Sequence, residues 1–218
     1  MNNAQVDPLS WYYEIPIVTR VYLTAAFLTT ALCQLDVLSS TQFFFSWRLV
    51  CNGQVWRLVS NFMFFGVLNR EFLFHMYFLV RYCRLLEEGE FRGRTGDFVW
   101  FLLFGATLMT MAAPFLRMNF LGSSLAFMMV YVWGRRNEHV RMNFLGLFQF
   151  TAPYVPWVLF ASSVVIGSPV MSDVLGIAVG HLYYFLEFVY PEVADIRGWR
   201  VKKLMGAPHF IKQLCGQV

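Results

Sequence analysis

The sequence is short of charge. Only 14% of its 218 residues are Asp, Glu, Lys or Arg, where a soluble domain carries about 25%. So few ionisable side chains cannot cover a water-facing surface. A hydrophobic fraction of 58%, with 24 Phe, 7 Trp and 10 Tyr, excludes a disordered chain as well. Cysteine is also scarce. Cys33, Cys51, Cys83 and Cys215 form no CxxC pair and fall in different segments, which argues against a disulfide framework and against a zinc site. No Asn-x-Ser/Thr sequon occurs. The first 19 residues hold no Lys or Arg, so the basic start of a cleaved signal peptide is missing and the first apolar segment reads as a retained membrane helix. No basic run carries interleaved aromatics, so the net charge of +4 gives no case for nucleic acid. An integral membrane protein remains, and at about 20 residues per helix the length admits about six spans.

Apolar runs place those spans at residues 17–35, 71–86, 98–116, 120–133, 154–166 and 171–190, the last stopped by Pro191. Residues 37–70 are too polar for a span and too apolar for an aqueous loop, and read as short amphipathic helices half inserted in the interface. Residues 191–218 form a short basic tail behind a membrane domain of residues 1–190. Arg20, Arg81, Arg84, Arg92, Arg94, Arg135, Arg136, Arg141, Arg197, Arg200, Lys202, Lys203 and Lys212 then share one side, against Arg48, Arg57, Arg70 and Arg117 on the other. This asymmetry predicts both termini in the cytosol. The fourth span is short, about 21 Å against a hydrocarbon core of about 30 Å, and must be buried among its neighbours or sit in a thinned bilayer.

Three features carry candidate chemistry. Gly122-Ser123-Ser124-Leu125 opens the fourth span, where a buried serine is either a nucleophile or a packing residue bonded to its own backbone. Gly176 and Gly180 form a small-xxx-small face on the sixth span, flanked by Asp173 and His181, and the expected neighbour is the fourth span near Gly122 and Ser123. Trp56-Arg57 lies in the half-inserted loop, where such a pair anchors depth. His75 adds a polar group to the second span. No metal or cofactor is called for.

Five ordered blocks extend this reading: QVWRLVSNFMFFG at 54–66, RYCRLLEEGEFRGRTGDF at 81–98, YVWGRRNEHVRMNFLGL at 131–147, APYVPWVL at 152–159 and LGIAVGHLYYFLE at 175–187. With them the sequence resembles the Derlin family of the rhomboid-like superfamily. The resemblance implies an all-α, six-helix membrane bundle in the endoplasmic reticulum, with Trp56-Arg57 in the first lumenal loop. It also implies a role in returning misfolded proteins to the cytosol for degradation. Implied partners are misfolded clients, a membrane ubiquitin ligase of the Hrd type, the valosin-containing AAA ATPase and further copies of the chain. Many relatives recruit that ATPase through a Phe-x-Gly-x-Gly-like tail. The sequence ends at Cys215-Gly216-Gln217-Val218 without one, so truncation or recruitment through other partners is expected.

Active rhomboids are serine proteases with a Gly-x-Ser-Gly motif and a histidine three residues before the Gly-x-x-x-Gly. Here Leu125 replaces the final Gly and Asp173 stands at the histidine position. His181 lies eight residues further on, about 12 Å along the helix and about 80° round it, beyond the reach of a base for Ser124. A pseudoprotease is expected. The rival readings are a protease using Ser124 and a client-holding chaperone.

Overall fold

Hydrophobic runs broken by glycine, proline and charge fold into helices whose polar ends sort to opposite ends of a bundle. In the computed structural model, residues 10–144, 148–199 and 205–216 are described. Six longer helices follow in order: α1 (Ile17–Gln34), α2 (Arg70–Leu85), α3 (Thr95–Leu116), α4 (Gly122–Arg136), α5 (Val155–Ile166) and α6 (Met171–Ile196). Of these, α1, α3 and α6 are long and apolar enough to cross a membrane. Helices α4 and α5, of 15 and 12 residues, span only about 22 and 18 Å.

The short α4 is the hub. Residues 124–134 are all buried, and glycines on α4 and on the elements around it allow close approach. A Cβ at Gly105 of α3 would collide with Met128 Sδ, and one at Gly134 would lie 2.6 Å from the Ala152 carbonyl oxygen. Helix α6 makes the most extensive pairing with α4. Gly176 abuts the Ser124 carbonyl and Phe127, and Gly180 abuts Met128 and Tyr131, so the two helices run parallel. The expected pairing is present, one turn further along α4 than Gly122. Gly122 instead admits the Phe62 carbonyl, 2.7 Å from a Cβ built there, and the Phe65 ring.

At one end of the bundle Glu87 receives the Val18 and Thr19 amides at 3.0 and 2.8 Å and the Thr19 hydroxyl at 2.7 Å, closing the first turn of α1. Arg136 donates to Glu90 at 2.9 Å and lies 4.3 Å from the Phe188 ring centroid. Both partners sit in π-helical segments, Leu86–Glu90 after α2 and Phe185–Val189 within α6. At the opposite end the 37–70 loop is pinned to the bundle. Phe45 N–H donates to Asn119 O at 2.7 Å, Tyr22 to Phe62 O at 3.0 Å and Thr29 to Met63 O at 2.8 Å. The loop contains short helices, Trp47–Cys51 and Arg57–Ser60.

Three expectations are corrected. The fold is not all-α: strands β1 (Arg141–Phe144) and β2 (Phe148–Thr151) pair antiparallel, Met142 opposite Phe150. Their alternating polar and apolar residues carry a period of two inside what reads as an apolar run. Pro191 does not stop the sixth helix, which continues to Ile196. The proline falls in the first positions after the π segment, where its missing N–H costs little. The expected domain boundary at residue 190 therefore lies inside a helix. Part of the tail also docks: in α7 (His209–Leu214) Ile211 is buried, and Lys212 Nζ lies 3.6 Å from Asp97 of α3.

Candidate functional site

Helices α2 and α5 stand apart over the face of α4, leaving a cleft of about 550 Å³. Its walls are Phe74, His75 and Phe78 from α2 and Leu159 and Ser163 from α5, over a floor of Phe127 and its neighbours on α4. Asn69 caps the start of α2 through Phe72 N–H at 2.8 Å and also faces the cleft. Polar groups (Asn69, His75, Ser163, Ser168) thus mark the end near the loop, and hydrocarbon lines the rest. The cleft is open because α5 is short and breaks at Gly167, whose φ of 82° suits glycine.

A larger groove of about 830 Å³ runs between α1 and α3, roofed by Leu214 and Cys215. Among the described residues no acidic or basic side chain lines it, and its lining is mostly apolar.

Ser124 lies under the cleft floor, fully buried, and its hydroxyl has no hydrogen-bond partner among the described residues. Asp173, one turn before Gly176, is 2% exposed. Its Oδ1 accepts from the Ser172 hydroxyl at a long 3.4 Å, and its Oδ2 has no hydrogen-bond partner among the described residues. His181 is placed elsewhere: its Nδ1 lies 2.6 Å from the Tyr131 hydroxyl, toward the other end of α4. Ser123 is half-buried beside Ser124. The structure therefore brings Ser124 together with Gly176 and leaves His181 apart.

A family model for the Der1-like family matches residues 15–201. The chain belongs to the Der1-like family. Derlin-2.1 of Arabidopsis thaliana is 46% identical over 216 residues, covering 94% of this chain and 86% of that protein. Derlin-2 of Oryza sativa subsp. japonica is 47% identical over 216 residues, with 94% and 84% covered. The probable derlin-2 homolog of Dictyostelium discoideum is 39% identical over 212 residues, with 94% and 81% covered.

In this Der1-like chain the Trp56-Arg57 pair divides its work. Trp56 is 55% exposed, whereas Arg57 is only 6% exposed. Arg57 donates to the carbonyls of Thr41 and Phe44 at 2.7 and 2.9 Å and to Gln54 at 2.7 Å, with its guanidinium 4.8 Å from the Phe44 ring centroid. The arginine ties the loop to itself, and the tryptophan faces outward. Sequence reasoning missed Glu87, Asn61 and Asp97. Asn61 is fully buried, donates to Arg57 O at 2.6 Å, and its own carbonyl accepts from Leu121 N–H at 3.3 Å. An acidic or amide residue inside a quoted block was the only signal.

Proposed function

We propose that this Der1-like protein is a non-enzymatic component of endoplasmic-reticulum-associated degradation, crossing the membrane six times with both termini cytosolic. It binds misfolded lumenal or membrane clients in the α2–α5 cleft and aids their return to the cytosol. The observation that carries the reading is the cleft itself, a lateral opening beside helices too short for an unperturbed bilayer. A bilayer beside helices of about 18–22 Å thins locally, which shortens the apolar distance a polar segment must cross. Asn69, His75, Ser163 and Ser168 give that entrance a polar lining. Trp56, outward on its clamped loop, engages clients or headgroups. Partners in this reading are a membrane ubiquitin ligase of the Hrd type, the valosin-containing AAA ATPase through intermediaries, and further copies of the chain.

Support for a pseudoprotease comes from Ser124. A general base must come within about 3 Å of the hydroxyl it deprotonates, and Ser124 has no partner at all among the described residues. The rival protease reading is tested by labelling with a fluorophosphonate probe, where signal lost in Ser124→Ala would restore it.

The test of the leading reading is client turnover in cells that depend on this chain. Ala126→Trp and Ser163→Trp fill the cleft from its floor and its wall. Client half-life should lengthen several-fold while the protein stays at its normal level. Unchanged turnover in both variants removes the cleft from the mechanism.

A further inference from the structure

The groove between α1 and α3 opens toward the bilayer. Val21, Leu103 and Met111 line it and are exposed, and both helices are long and apolar enough to cross a membrane. In a membrane its volume of about 830 Å³ is filled from the surrounding bilayer.

One side chain in the groove calls for more than hydrocarbon. Thr110 lines it and is only 8% exposed. Thr107, one turn earlier, settles its hydroxyl on the Leu103 carbonyl at 2.8 Å. The Thr110 hydroxyl makes no such bond, and has no hydrogen-bond partner among the described residues. A hydroxyl facing hydrocarbon without a partner is costly, so a fitting occupant brings one polar group to that point.

That group carries no charge. Among the described residues no acidic or basic side chain lines the groove, and a phosphate or ammonium seated inside it would be uncompensated. The depth also fits a lipid hydroxyl. Thr110 lies toward the loop end of α3, and Trp47 of the half-inserted loop lines the same end. Indole side chains settle at headgroup level. From Thr110 the walls continue to Thr95, about 22 Å along α3.

A rigid body is favoured over a flexible one. Val18, Val21, Val59 and Val99 give the groove stiff, branched walls. An acyl chain loses rotamer freedom between such walls, whereas fused rings have little to lose.

We propose that the α1–α3 groove binds a sterol, its hydroxyl on Thr110 and its rings and tail running toward Thr95. The lipid fills the seam between the two helices and so supports their pairing. The inference is independent of the client-binding reading, which concerns the separate α2–α5 cleft.

The test uses the full chain in phosphatidylcholine nanodiscs and a clickable sterol that carries a photoreactive diazirine. Labelling should saturate, be competed by unlabelled sterol, and map by peptide mass spectrometry to groove residues of α1 and α3. Thr110→Val keeps the shape of the side chain and deletes the hydroxyl. It should weaken sterol binding about three- to tenfold, the factor that one neutral hydrogen bond supplies. Its melting temperature in sterol-free discs should stay at or above that of the parent, and Thr110→Ser should keep most of the affinity. Sterol should raise the melting temperature of the parent more than that of Thr110→Val. A sterol whose hydroxyl is replaced by hydrogen makes the same comparison on the unaltered protein, and should compete about three- to tenfold less well. Labelling that Thr110→Val leaves undiminished, that the hydroxyl-free sterol competes equally, or that maps outside the groove overturns the proposal. So does groove labelling by a photoreactive phosphatidylcholine that sterol fails to displace, which makes a phospholipid chain the occupant.

Discussion

Replacing Gly176 by alanine adds one methyl group at the closest approach of α6 to α4. The new Cβ would press on the Ser124 carbonyl, lie 2.5 Å from Phe127 Cβ and 3.2 Å from Met128 N. Two of these three contacts are backbone of the hub helix, which cannot rotate away as a side-chain tip can. At Gly180 the corresponding contacts are 3.0 Å to Tyr131 Cβ and 3.2 Å to Met128 O, so a few tenths of an ångström suffice. Overpacking costs about 1–3 kcal/mol, and the better helix propensity of alanine returns up to about 1 kcal/mol. Gly176→Ala should therefore destabilise by about 1–2 kcal/mol, while Gly180→Ala should stay within about 1 kcal/mol of the parent. At about 2–4 °C per kcal/mol for a chain of this length, the first variant should melt about 2–8 °C lower. Thermal unfolding in mild detergent, followed by a thiol-reactive dye in a background with Cys33, Cys51 and Cys215 replaced by serine so that the buried Cys83 is the reporter, measures the difference. Gly176→Leu should be worse than Gly176→Ala. The reasoning is refuted if Gly176→Ala melts at or above the parent, or loses less than Gly180→Ala.

Four further outcomes follow from the geometry. Arg57→Ala removes the donor to two loop carbonyls and should expose the 37–51 segment to limited proteolysis, with Arg57→Lys intermediate because a lysine cannot fork between them. Trp56→Ala should leave proteolysis and melting unchanged but slow client turnover; a melting loss as large as that of Arg57→Ala would contradict the division of roles. Glu87→Ala should cost about 1–3 kcal/mol by orphaning the amides of Val18 and Thr19, and hydrogen exchange should rise at the start of α1 and nowhere else in that helix. Ser124→Ala should be neutral or stabilising by up to about 1 kcal/mol, since it deletes a buried hydroxyl without a partner; a clear loss of stability would mean that the hydroxyl is bonded.

Hydropathy located the helices well because it reports burial in hydrocarbon, and burial is what forms them. The Gly176–Gly180 face was legible for a related reason: two small residues four apart can serve only a close approach. Long-range hydrogen bonds were not legible. Arg57 read as an interfacial anchor because nothing local shows that the carbonyls of Thr41 and Phe44 will curl round it. Glu87 read as part of a polar connection, although its partners lie 68 and 69 residues earlier. The hairpin was missed because Met142, Asn143, Gln149 and Phe150 alternate only over a few residues, too few to stand out beside a proline-containing apolar run. At the site, Ser124, Asp173 and His75 were each singled out. That Gly176 meets the Ser124 carbonyl, while His181 turns to Tyr131, depends on helix rotation, which spacing along one strand of sequence does not fix.

The contact between Glu87 and the start of α1 has a consequence for biogenesis. Val18 and its acceptor are 69 residues apart, so at about 5–20 residues per second roughly 3–14 s of synthesis separate them. Through that interval the first turn of α1 has only water for its free amides, and its end frays at the membrane boundary. Arrival of Glu87 completes the turn and joins the first two helices into one unit before α4 has been made. The hub is thus the late arrival. It enters a site already bounded by an α1–α2 pair, and its own burial waits for α6, which leaves the ribosome after it. A chain interrupted between α4 and α6 would hold the Gly176-facing surface of α4, with the Ser124 carbonyl on it, open to lipid.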